Sequence, residues 1–375
     1  MTSSLIEALQ ELRPDTSVHY IHGVLGEYQP GGFRPQRLAN LVWVYVAAAW
    51  EMAVRRPDFV FVRTSPPGAQ LWVALLGALL HIPAGCWMMD YHPEIEARAL
   101  ERMKLGWMAG WLRSIDAVLL QHFSVIVALD HAIANVCRQR APKVPIIVHP
   151  TWGADASETY FPYQRQSGED RGMRRLVYAG NLGVTHDTRV LGELLKALRS
   201  GGEVELVVIG ASKSAERTLA SLCANAKVVT RTFPRLPFSQ LRDAFEQLGV
   251  DMGVVLLADE SAGLVSPSKF AAYLKYGVPM VYIGPANTNS HEIVTRFGAG
   301  FWLRNNSSSE EIQETARAIW QQETLLTAGR RLQDAATYFG GFNGKSLVQE
   351  LADFLPLPFS SLTRMSDTRD GGEFH

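Results

Sequence analysis

Between residues 267 and 279 the chain reads PSKFAAYLKYGVP, and this stretch predicts a helix that leads into a strand. Ser268 is expected to be the N-cap of the helix, and Gly277 followed by Pro279 is a usual stop signal. Lys269 falls in the first helical turn, where a cation opposes the helix dipole. A bound phosphate would remove this conflict, whereas a solvated lysine on a surface helix is the alternative interpretation.

The sequence around this stretch alternates between short apolar runs and helical patterns, which indicates βαβ units and a parallel sheet. The predicted strands are 175–179, 205–209, 227–230, 252–256 and 279–283. The predicted helices are 190–198, 214–224, 241–248, 268–276, 309–321 and 344–354.

The first half of the chain repeats the pattern. Its predicted strands are 18–24, 58–64, 84–90, 125–129 and 145–149. Its predicted helices are 5–12, 36–54, 69–80, 95–112 and 130–140, the last with Asp130 as N-cap. We therefore expect an α/β protein with two doubly wound, Rossmann-like domains that face a cleft, which is the preferred place for a ligand.

The domain boundaries follow from changes in composition. A polar stretch, 160–175, separates a domain over residues 1–160 from a domain over 175–340. Residues 341–356 are expected to form a C-terminal helix that crosses back to the first domain, and residues 360–375 to form a flexible tail.

Composition excludes several classes of protein. The chain has 375 residues and a net charge of −1, so no global basic field points to nucleic acid. Its three cysteines are far apart and form no Cys-x-x-Cys pair, which favours reduced, buried thiols in a cytoplasmic protein. No signal peptide is visible at the N-terminus. The apolar stretches 41–50 and 71–80 are too short to span a bilayer, which needs roughly 20 apolar residues.

A glycine loop, Gly180-Asn181-Leu182-Gly183, lies between a predicted strand and a predicted helix whose N-cap is Thr185 or Asp187. Glycines there let the backbone approach a diphosphate closely, and a helix N-terminus supplies free N–H donors. An ordinary turn between a strand and a helix explains the loop equally well.

A polar cluster, Asp90-Tyr91-His92-Pro93-Glu94, follows another predicted strand. Asp90, His92 and Glu94 are candidates to accept the proton of a substrate hydroxyl, and Asp90 and His92 are the two that we assign as catalytic. Helix capping by Asp90 and a satisfied loop histidine at position 92 are the structural alternatives.

Taken in order, these motifs resemble the family-four glycosyltransferases of the GT-B fold, and within them the bacterial subgroup that builds surface polysaccharides. Residues 58–67, DFVFVRTSPP, resemble the family's strand and Ser-Pro-Pro loop. Residues 90–94 resemble its Asp-Leu-Trp-Pro-Glu motif, and residues 148–152, VHPTW, its Ile-Pro-Asn-Trp motif. The glycine loop and residues 267–279 match the hallmark of its C-terminal domain. The resemblance extends over about residues 5–354.

The resemblance implies transfer of a sugar from a nucleotide-diphosphate donor, held by the C-terminal domain, to an acceptor in the N-terminal domain. The residues implied or assigned in donor binding are Gly180, Asn181, Leu182, Gly183, Gly210, Arg235, Ser266, Ser268 and Lys269. Arg231 is an alternative to Arg235, and solvated arginines are equally compatible with the sequence. No Asp-x-Asp pair occurs, so we expect neither a metal nor another cofactor.

The sequence departs from the family in two places. Many relatives have two glutamates, separated by seven residues, before the Gly-x-Pro that here is 277–279. In this chain Leu264 and Ala272 occupy the positions of those glutamates. Relatives also begin with a strand and a glycine loop, whereas this chain begins at what resembles the following helix, so we expect either an upstream start or a missing sheet edge.

Residues 97–113 combine methionines and tryptophans with arginines and a lysine. This composition suggests a helix at a membrane surface, on the inner face of the plasma membrane, although tryptophans buried in the core would explain it as well. A glycan or polyprenyl-linked acceptor, common in the family, would favour the membrane interpretation.

Two other functions remain open. A nucleotide-sugar epimerase has the same GT-B architecture. A non-catalytic GT-B subunit could instead scaffold or activate a partner glycosyltransferase, which the missing glutamates and the missing first strand would explain.

Overall fold

The computed structural model describes residues 2–12, 14, 16–21, 35–151 and 172–355. Predictions for residues 22–24, for the linker up to residue 171 and for the tail 360–375 lie outside them. The first predicted helix is present as α1 (Thr2–Leu12). The strand predicted from residue 18 is not formed over residues 18–21, because no strand of the described chain pairs with this segment.

The first sheet contains four parallel strands in the order β1-β2-β3-β4. These strands are β1 (Val60–Arg63), β2 (Ala84–Met88), β3 (Val125–Ala128) and β4 (Ile146–Val148). The helices of this half are α2 (Pro35–Trp50), α3 (Ala69–Leu80), α4 (Glu94–Arg102), α5 (Gly106–Leu120) and α6 (His131–Arg140). The described strands all progress in one direction, so right-handed crossovers put α3 to α6 on the same face.

Local chemistry explains where α6 begins and where α4 ends. Asp130 is the N-cap of α6, as predicted, and its carboxylate accepts a hydrogen bond of 2.9 Å from the N–H of Ile133. The single helix predicted over 95–112 is wrong, because the chain turns between α4 and α5. Lys104 there has a φ of 61°, a left-handed conformation that ends a helix. Residues 97–113 therefore belong to two helices.

The second sheet contains six parallel strands in the order β10-β9-β8-β5-β6-β7. They are β5 (Met173–Ala179), β6 (Glu203–Ile209), β7 (Val229–Phe233), β8 (Met252–Leu256), β9 (Met280–Ile283) and β10 (Gly300–Leu303). The winding reverses between β5 and β8, and this reversal is what defines a doubly wound sheet.

The helices of the second half cover both faces of this sheet. They are α7 (Arg189–Gly201), α8 (Lys213–Ala226), α9 (Leu241–Leu248), α10 (Phe270–Lys275), α11 (Asn289–Thr295), α12 (Ser309–Trp320) and α13 (Gln322–Gly340). Two apolar clusters form the core, one on each face. Three elements, β10, α11 and α13, were not predicted from the sequence, although the buried positions of α13 recur at helical spacing.

The last helix, α14 (Gly344–Leu351), packs against α1 at the other end of the chain. Gly344 permits the close approach, since a Cβ at this position would lie 2.5 Å from the carbonyl oxygen of Ser4. Leu347 and Val348 join the core of the first sheet. The two ends of the described chain thus complete the same half of the molecule.

The carboxyl ends of the two sheets are in contact. Asp90, just after β2, forms an antiparallel bridge with Val265. The N–H of Tyr91 donates a hydrogen bond of 2.6 Å to the carbonyl oxygen of Leu264. Residues 264–269 therefore lie between the strand ends of one half and those of the other. Among the described residues, no helix combines the length and the apolarity that crossing a bilayer requires.

Candidate functional site

The candidate site lies beyond the carboxyl ends of β5, β6 and β7, next to the reversal between β5 and β8. A crevice forms at such a reversal because the loops on either side diverge to opposite faces of the sheet. The loop after β5 also contacts the end of β8, where the N–H of Ala258 donates to the carbonyl oxygen of Thr185 at 2.8 Å.

Lys269 and Gly180 meet at the centre of this region. Gly180 has a φ of +118°, and a Cβ added to it would lie 3.1 Å from Cε of Lys269. The lysine side chain therefore passes over the backbone at Gly180, where the absence of a side chain leaves room for it. Its Nζ lies 3.2 Å from Nε2 of His186 and 4.9 Å from the ring centre of Tyr178. No carboxylate of the described chain lies within ion-pair distance of it.

The two ionisable neighbours have shifted pKa values. Loss of solvent lowers the pKa of Lys269 to about 8. Loss of solvent and the charge of Lys269 lower the pKa of His186 to about 4. His186 is therefore neutral at pH 7, and since an ammonium group can only donate, its Nε2 accepts from the lysine. The ammonium group of Lys269 is therefore a positive charge without a counter-ion among the described residues.

The start of α10 differs from the prediction. The helix has only six residues and begins at Phe270, and the side chain of Ser268 forms no capping hydrogen bond. Ser268 is exposed, and its carbonyl oxygen accepts from the N–H of Ala271. A helix this short has a small dipole, so the missing counter-ion, rather than the helix, distinguishes Lys269.

Ser266 contacts the first half of the molecule. Its hydroxyl lies 3.5 Å from the side-chain nitrogen of Asn289. The same side-chain nitrogen of Asn289 donates to the carbonyl oxygen of Leu129, in the first half, at 2.9 Å. Burial raises the pKa of Asp130, and the N–H of Ile133 and the nearby Ser266 hydroxyl oppose this increase. Ser266 therefore lies where the two halves meet.

The rest of the glycine loop connects to the ends of the neighbouring strands. The side-chain oxygen of Asn181 accepts from the N–H of Ser212, the N-cap of α8, at 3.1 Å. Leu182 packs against the core beneath the loop, and Gly183 is exposed. The N-cap position of α7 is Thr188, which makes no side-chain cap bond. The predicted cap Asp187 nevertheless accepts a hydrogen bond of 2.8 Å from the N–H of Arg189, the first residue of the helix.

Gly210 and Arg235 form the far end of the site. Gly210, which follows β6, has a φ of +73°, and a Cβ there would lie 3.2 Å from Cα of Arg235. The residues after β7 thus pass directly over Gly210. Arg235 is exposed, and no described side chain pairs with its guanidinium group.

Arg231, the alternative to Arg235, has a structural partner. Its guanidinium group binds the carboxylate of Glu205, with one contact of 2.9 Å, and Arg175 binds the same carboxylate at 2.7 Å. Burial raises the pKa of Glu205, but its bonds to the two arginines outweigh this effect and lower it. The structure therefore distinguishes the paired Arg231 from the unpaired Arg235, which were equivalent candidates in the sequence.

Asp90 and His92 lie across the crevice, at the end of β2. Asp90 is exposed, yet desolvation by the surrounding protein raises its pKa, against the opposing effect of His92. Nδ1 of His92 lies 2.6 Å from Oε1 of Glu96, and the side chain of Gln70 donates to the carbonyl oxygen of His92. Both candidate catalytic groups are thus held at a strand end, where substrates bind in this class of fold.

Glu94, the third acidic candidate, has a structural environment. Its buried carboxylate binds Arg113 through two contacts of 2.8 Å, Arg140 at 3.0 Å and Arg98 at 3.3 Å. Burial raises its pKa, and the arginines more than offset this to lower it. A carboxylate stabilised by three cations is a weak base, so Glu94 is not a candidate for proton abstraction.

Tyr178 and His186 are the site residues that sequence reasoning missed. Tyr178 precedes the glycine loop by two positions, and its hydroxyl donates to the carbonyl oxygen of Asn181 at 2.9 Å. With Nε2 as the acceptor, Nδ1 of His186 carries the ring proton and lies 3.3 Å from the carbonyl oxygen of Gly183. A histidine just after a glycine loop was the available signal, but its contact with Lys269 spans 83 positions.

Comparison with solved structures identifies the architecture. HepE of Anabaena, solved in complex with UDP, aligns with a TM-score of 0.60 at 15% identity, over 85% of this chain and 83% of that one. Sucrose-phosphate synthase of Thermosynechococcus elongatus aligns with a TM-score of 0.58 at 12% identity, over 87% and 79%. WaaG, a glycosyltransferase involved in lipopolysaccharide biosynthesis, aligns with a TM-score of 0.56 at 15% identity, over 90% and 86%.

The chain has the GT-B fold. No family model and no curated sequence matches it. In the GT-B fold the two sheets face each other across a cleft, and the residues described above follow the carboxyl ends of strands in both sheets. The described residues contain no cluster of three or more histidine, cysteine or acidic side chains suited to a metal ion.

Proposed function

We propose that this protein is a glycosyltransferase. It would move a sugar from a nucleotide-diphosphate donor to a glycan or lipid-linked acceptor, without a metal ion or another cofactor. The observation that carries the proposal is the ammonium group of Lys269, half-buried beside Gly180 with no carboxylate of the described chain within ion-pair distance. Such a charge costs free energy in the empty protein, and a diphosphate would supply the counter-ion.

The fold supports the choice of ligand. The GT-B structures that resemble this chain include complexes with UDP, with UDP-glucose and with UDP-2-fluoro glucose. A nucleotide-sugar donor accounts for Lys269, the exposed Arg235 and the close-packed Gly210 as parts of one diphosphate site.

The reaction assigns a role to each side of the cleft. The bond between the anomeric carbon and the diphosphate breaks, and its electron pair leaves on the diphosphate, where Lys269 and Arg235 stabilise the growing negative charge. The acceptor oxygen forms the new bond to the same carbon. Asp90 or His92 would take the proton of the acceptor hydroxyl.

A thermal-shift panel of UDP, GDP, ADP and TDP tests the donor site. One of the four should raise the melting temperature, since a ligand at 100 times its dissociation constant stabilises a protein by about 2.7 kcal/mol. Lys269→Ala should stay folded and lose this shift. Lys196→Ala, which removes an exposed lysine paired with Glu193, is the matched control and should keep it. No shift with any of the four nucleotides would refute the assignment.

Activity distinguishes an enzyme from a scaffold. Incubation of the purified chain with the stabilising nucleotide sugar should give slow donor hydrolysis, and transfer when an acceptor is added. Asp90→Asn and His92→Ala should reduce turnover with the nucleotide shift intact. If the chain binds nucleotide but acts only when co-expressed with a partner glycosyltransferase, the activating-subunit function replaces this proposal.

We also propose that the acceptor belongs to polysaccharide or glycoconjugate assembly and that the protein works in the cytoplasm, at the inner face of the plasma membrane. Trp107 and Trp111, within the segment 97–113, support the membrane location because both are more than 60% exposed. Tryptophans of this kind are enriched at membrane–water interfaces.

A further inference from the structure

The exposed apolar side chains of this protein are concentrated in one part of the chain. Among the described residues, fifteen large apolar side chains are exposed, and eleven of them lie between positions 42 and 118. Most belong to three helices, α2, α3 and α5. We call their solvent-facing side the three-helix surface.

Each helix contributes a stripe of apolar residues at helical spacing. Trp107 and Trp111 of α5 are four positions apart and are 75% and 64% exposed. Leu75 and Leu79 of α3 have the same spacing. Residues one turn apart lie on the same side of a helix, so each stripe is continuous.

The three stripes belong to neighbouring helices. α3 and α5 are in contact and cover the same face of the first sheet. α2 contacts α3, where the indole N–H of Trp72 donates to the carbonyl oxygen of Tyr45 at 3.0 Å. The inner side of α3 packs on the sheet through Val73, Ala74 and Gly77, which leaves its leucines outward.

α2 is the least covered of the three helices. Its sequence, PQRLANLVWVYVAAAW, is predominantly apolar, yet none of its described residues is buried. Trp43 and Trp50 are 51% and 65% exposed. A tryptophan has about 150–250 Å² of surface. With the two tryptophans of α5 and the aliphatic residues, the exposed apolar area exceeds the few hundred Å² usual for a monomer.

The charges around the surface are unbalanced. Of the carboxylates in the adjoining segments, Glu51 and Glu101 are paired with Arg55 and Arg113, and Asp58 is exposed without a partner among the described side chains. Arg102, the last residue of α4, and Lys104, in the turn that leads into α5, are also exposed without such a partner. The unpaired charge beside the apolar stripes is therefore cationic on balance.

We infer that the three-helix surface lies on a lipid bilayer that contains anionic headgroups. The stripes would enter the boundary between headgroups and acyl chains, the tryptophans would sit at the level of the headgroups, and Arg102 and Lys104 would contact anionic lipids. The inference extends the membrane location proposed above from the segment 97–113 to α2 and α3. A protein partner is less favoured because the stripes offer few hydrogen-bonding groups.

Co-sedimentation with vesicles tests the inference. The protein should bind phosphatidylglycerol vesicles more tightly than phosphatidylcholine vesicles, and added salt should weaken the binding. The double variant Trp107→Ser/Trp111→Ser should bind at least about tenfold more weakly. Arg102→Gln/Lys104→Gln should remove the preference for the anionic vesicles and leave the weaker binding to neutral ones.

Two valine variants distinguish binding through the three-helix surface from non-specific binding by exposed apolar side chains. Val118→Ser, on α5, should weaken vesicle binding, whereas Val229→Ser on β7 should not, although both valines are more than half exposed (62% and 51%). Equal losses would overturn the inference. Absence of binding by the wild-type protein would also overturn it, as would a dimer in light scattering that the tryptophan variant dissociates and lipid does not.

Nucleotide binding, measured on the same variants, shows whether a failure concerns the three-helix surface or the donor site. The nucleotide-induced thermal shift should be unchanged in every surface variant, which also shows that the variants fold. Vesicle binding without a nucleotide shift would refute the proposed function alone. A nucleotide shift without vesicle binding would refute this inference alone.

Discussion

Glu94, just after β2, and Lys269, beside the end of β5, are both shielded from solvent but have opposite surroundings. Three arginines contact the carboxylate of Glu94, and the pKa of that group falls. The ammonium group of Lys269 contacts a neutral histidine and an aromatic ring, and its pKa also falls. A lower pKa stabilises the charged form of an acid and destabilises that of a base. The first charge therefore serves the fold, and the second is held against a cost.

The largest effect expected from this difference is on stability. Glu94→Ala should lower the free energy of unfolding by about 3–5 kcal/mol, because it leaves Arg98, Arg113 and Arg140 without their shared counter-ion. Urea denaturation measures the loss. Glu101→Ala, which removes an exposed carboxylate from the same Arg113, is the control and should leave the unfolding midpoint nearly unchanged. Equal stability of Glu94→Ala and the wild type would contradict the comparison.

The same contrast between a paired and an unpaired charge occurs at Arg231 and Arg235, which are four positions apart. Arg235→Ala should weaken nucleotide binding by about tenfold or more, since a charge-assisted hydrogen bond contributes about 1.5–3 kcal/mol, and should leave stability unchanged. Arg231→Ala should do the reverse and lower stability by up to about 1 kcal/mol, because its pair with Glu205 is partly screened by solvent. Titration calorimetry and urea denaturation of both variants measure the two effects. The same response from both arginines would remove the distinction.

The sequence was sufficient for the features that depend on local patterns. The alternation of apolar runs predicted every strand of the second sheet except β10, and Asp130 as the N-cap of α6 is confirmed. The sequence also predicted the GT-B fold from the order of its motifs. Each strand, each cap and each single motif depends on residues that are close together in the chain.

The features that failed depend on distant contacts. Nothing near Arg231 reveals that Glu205 pairs with it, and nothing near Lys269 reveals His186. The break between α4 and α5 depends on a left-handed residue that carries no glycine signal, Lys104. Whether a charged side chain has a counter-ion depends on the folded chain. The sequence could therefore identify candidate charged residues, but it could not show which of them are paired.

The smallest predicted effect tests whether the charge of Lys269 is the one that binds the donor. Only the ammonium form attracts a diphosphate, and in the empty protein its pKa is about 8. The affinity for a nucleotide sugar, whose phosphates do not titrate in this range, should therefore fall as pH rises through 8, by about tenfold between pH 7 and pH 9.

The neighbours of Lys269 cannot imitate this profile. The pKa of His186 lies near 4, and burial raises the pKa of Tyr178 well above its ordinary value, so neither group titrates between pH 7 and pH 9. Lys269→Arg keeps its charge over the whole range and should give a flat profile for whatever affinity it retains.

The stability of the empty wild-type protein should change in the opposite sense. Unfolding returns the lysine to its ordinary pKa and takes up a proton above pH 8, so stability relative to Lys269→Ala should rise with pH, although affinity falls. An affinity that does not change between pH 7 and pH 9 would mean that another cation holds the diphosphate.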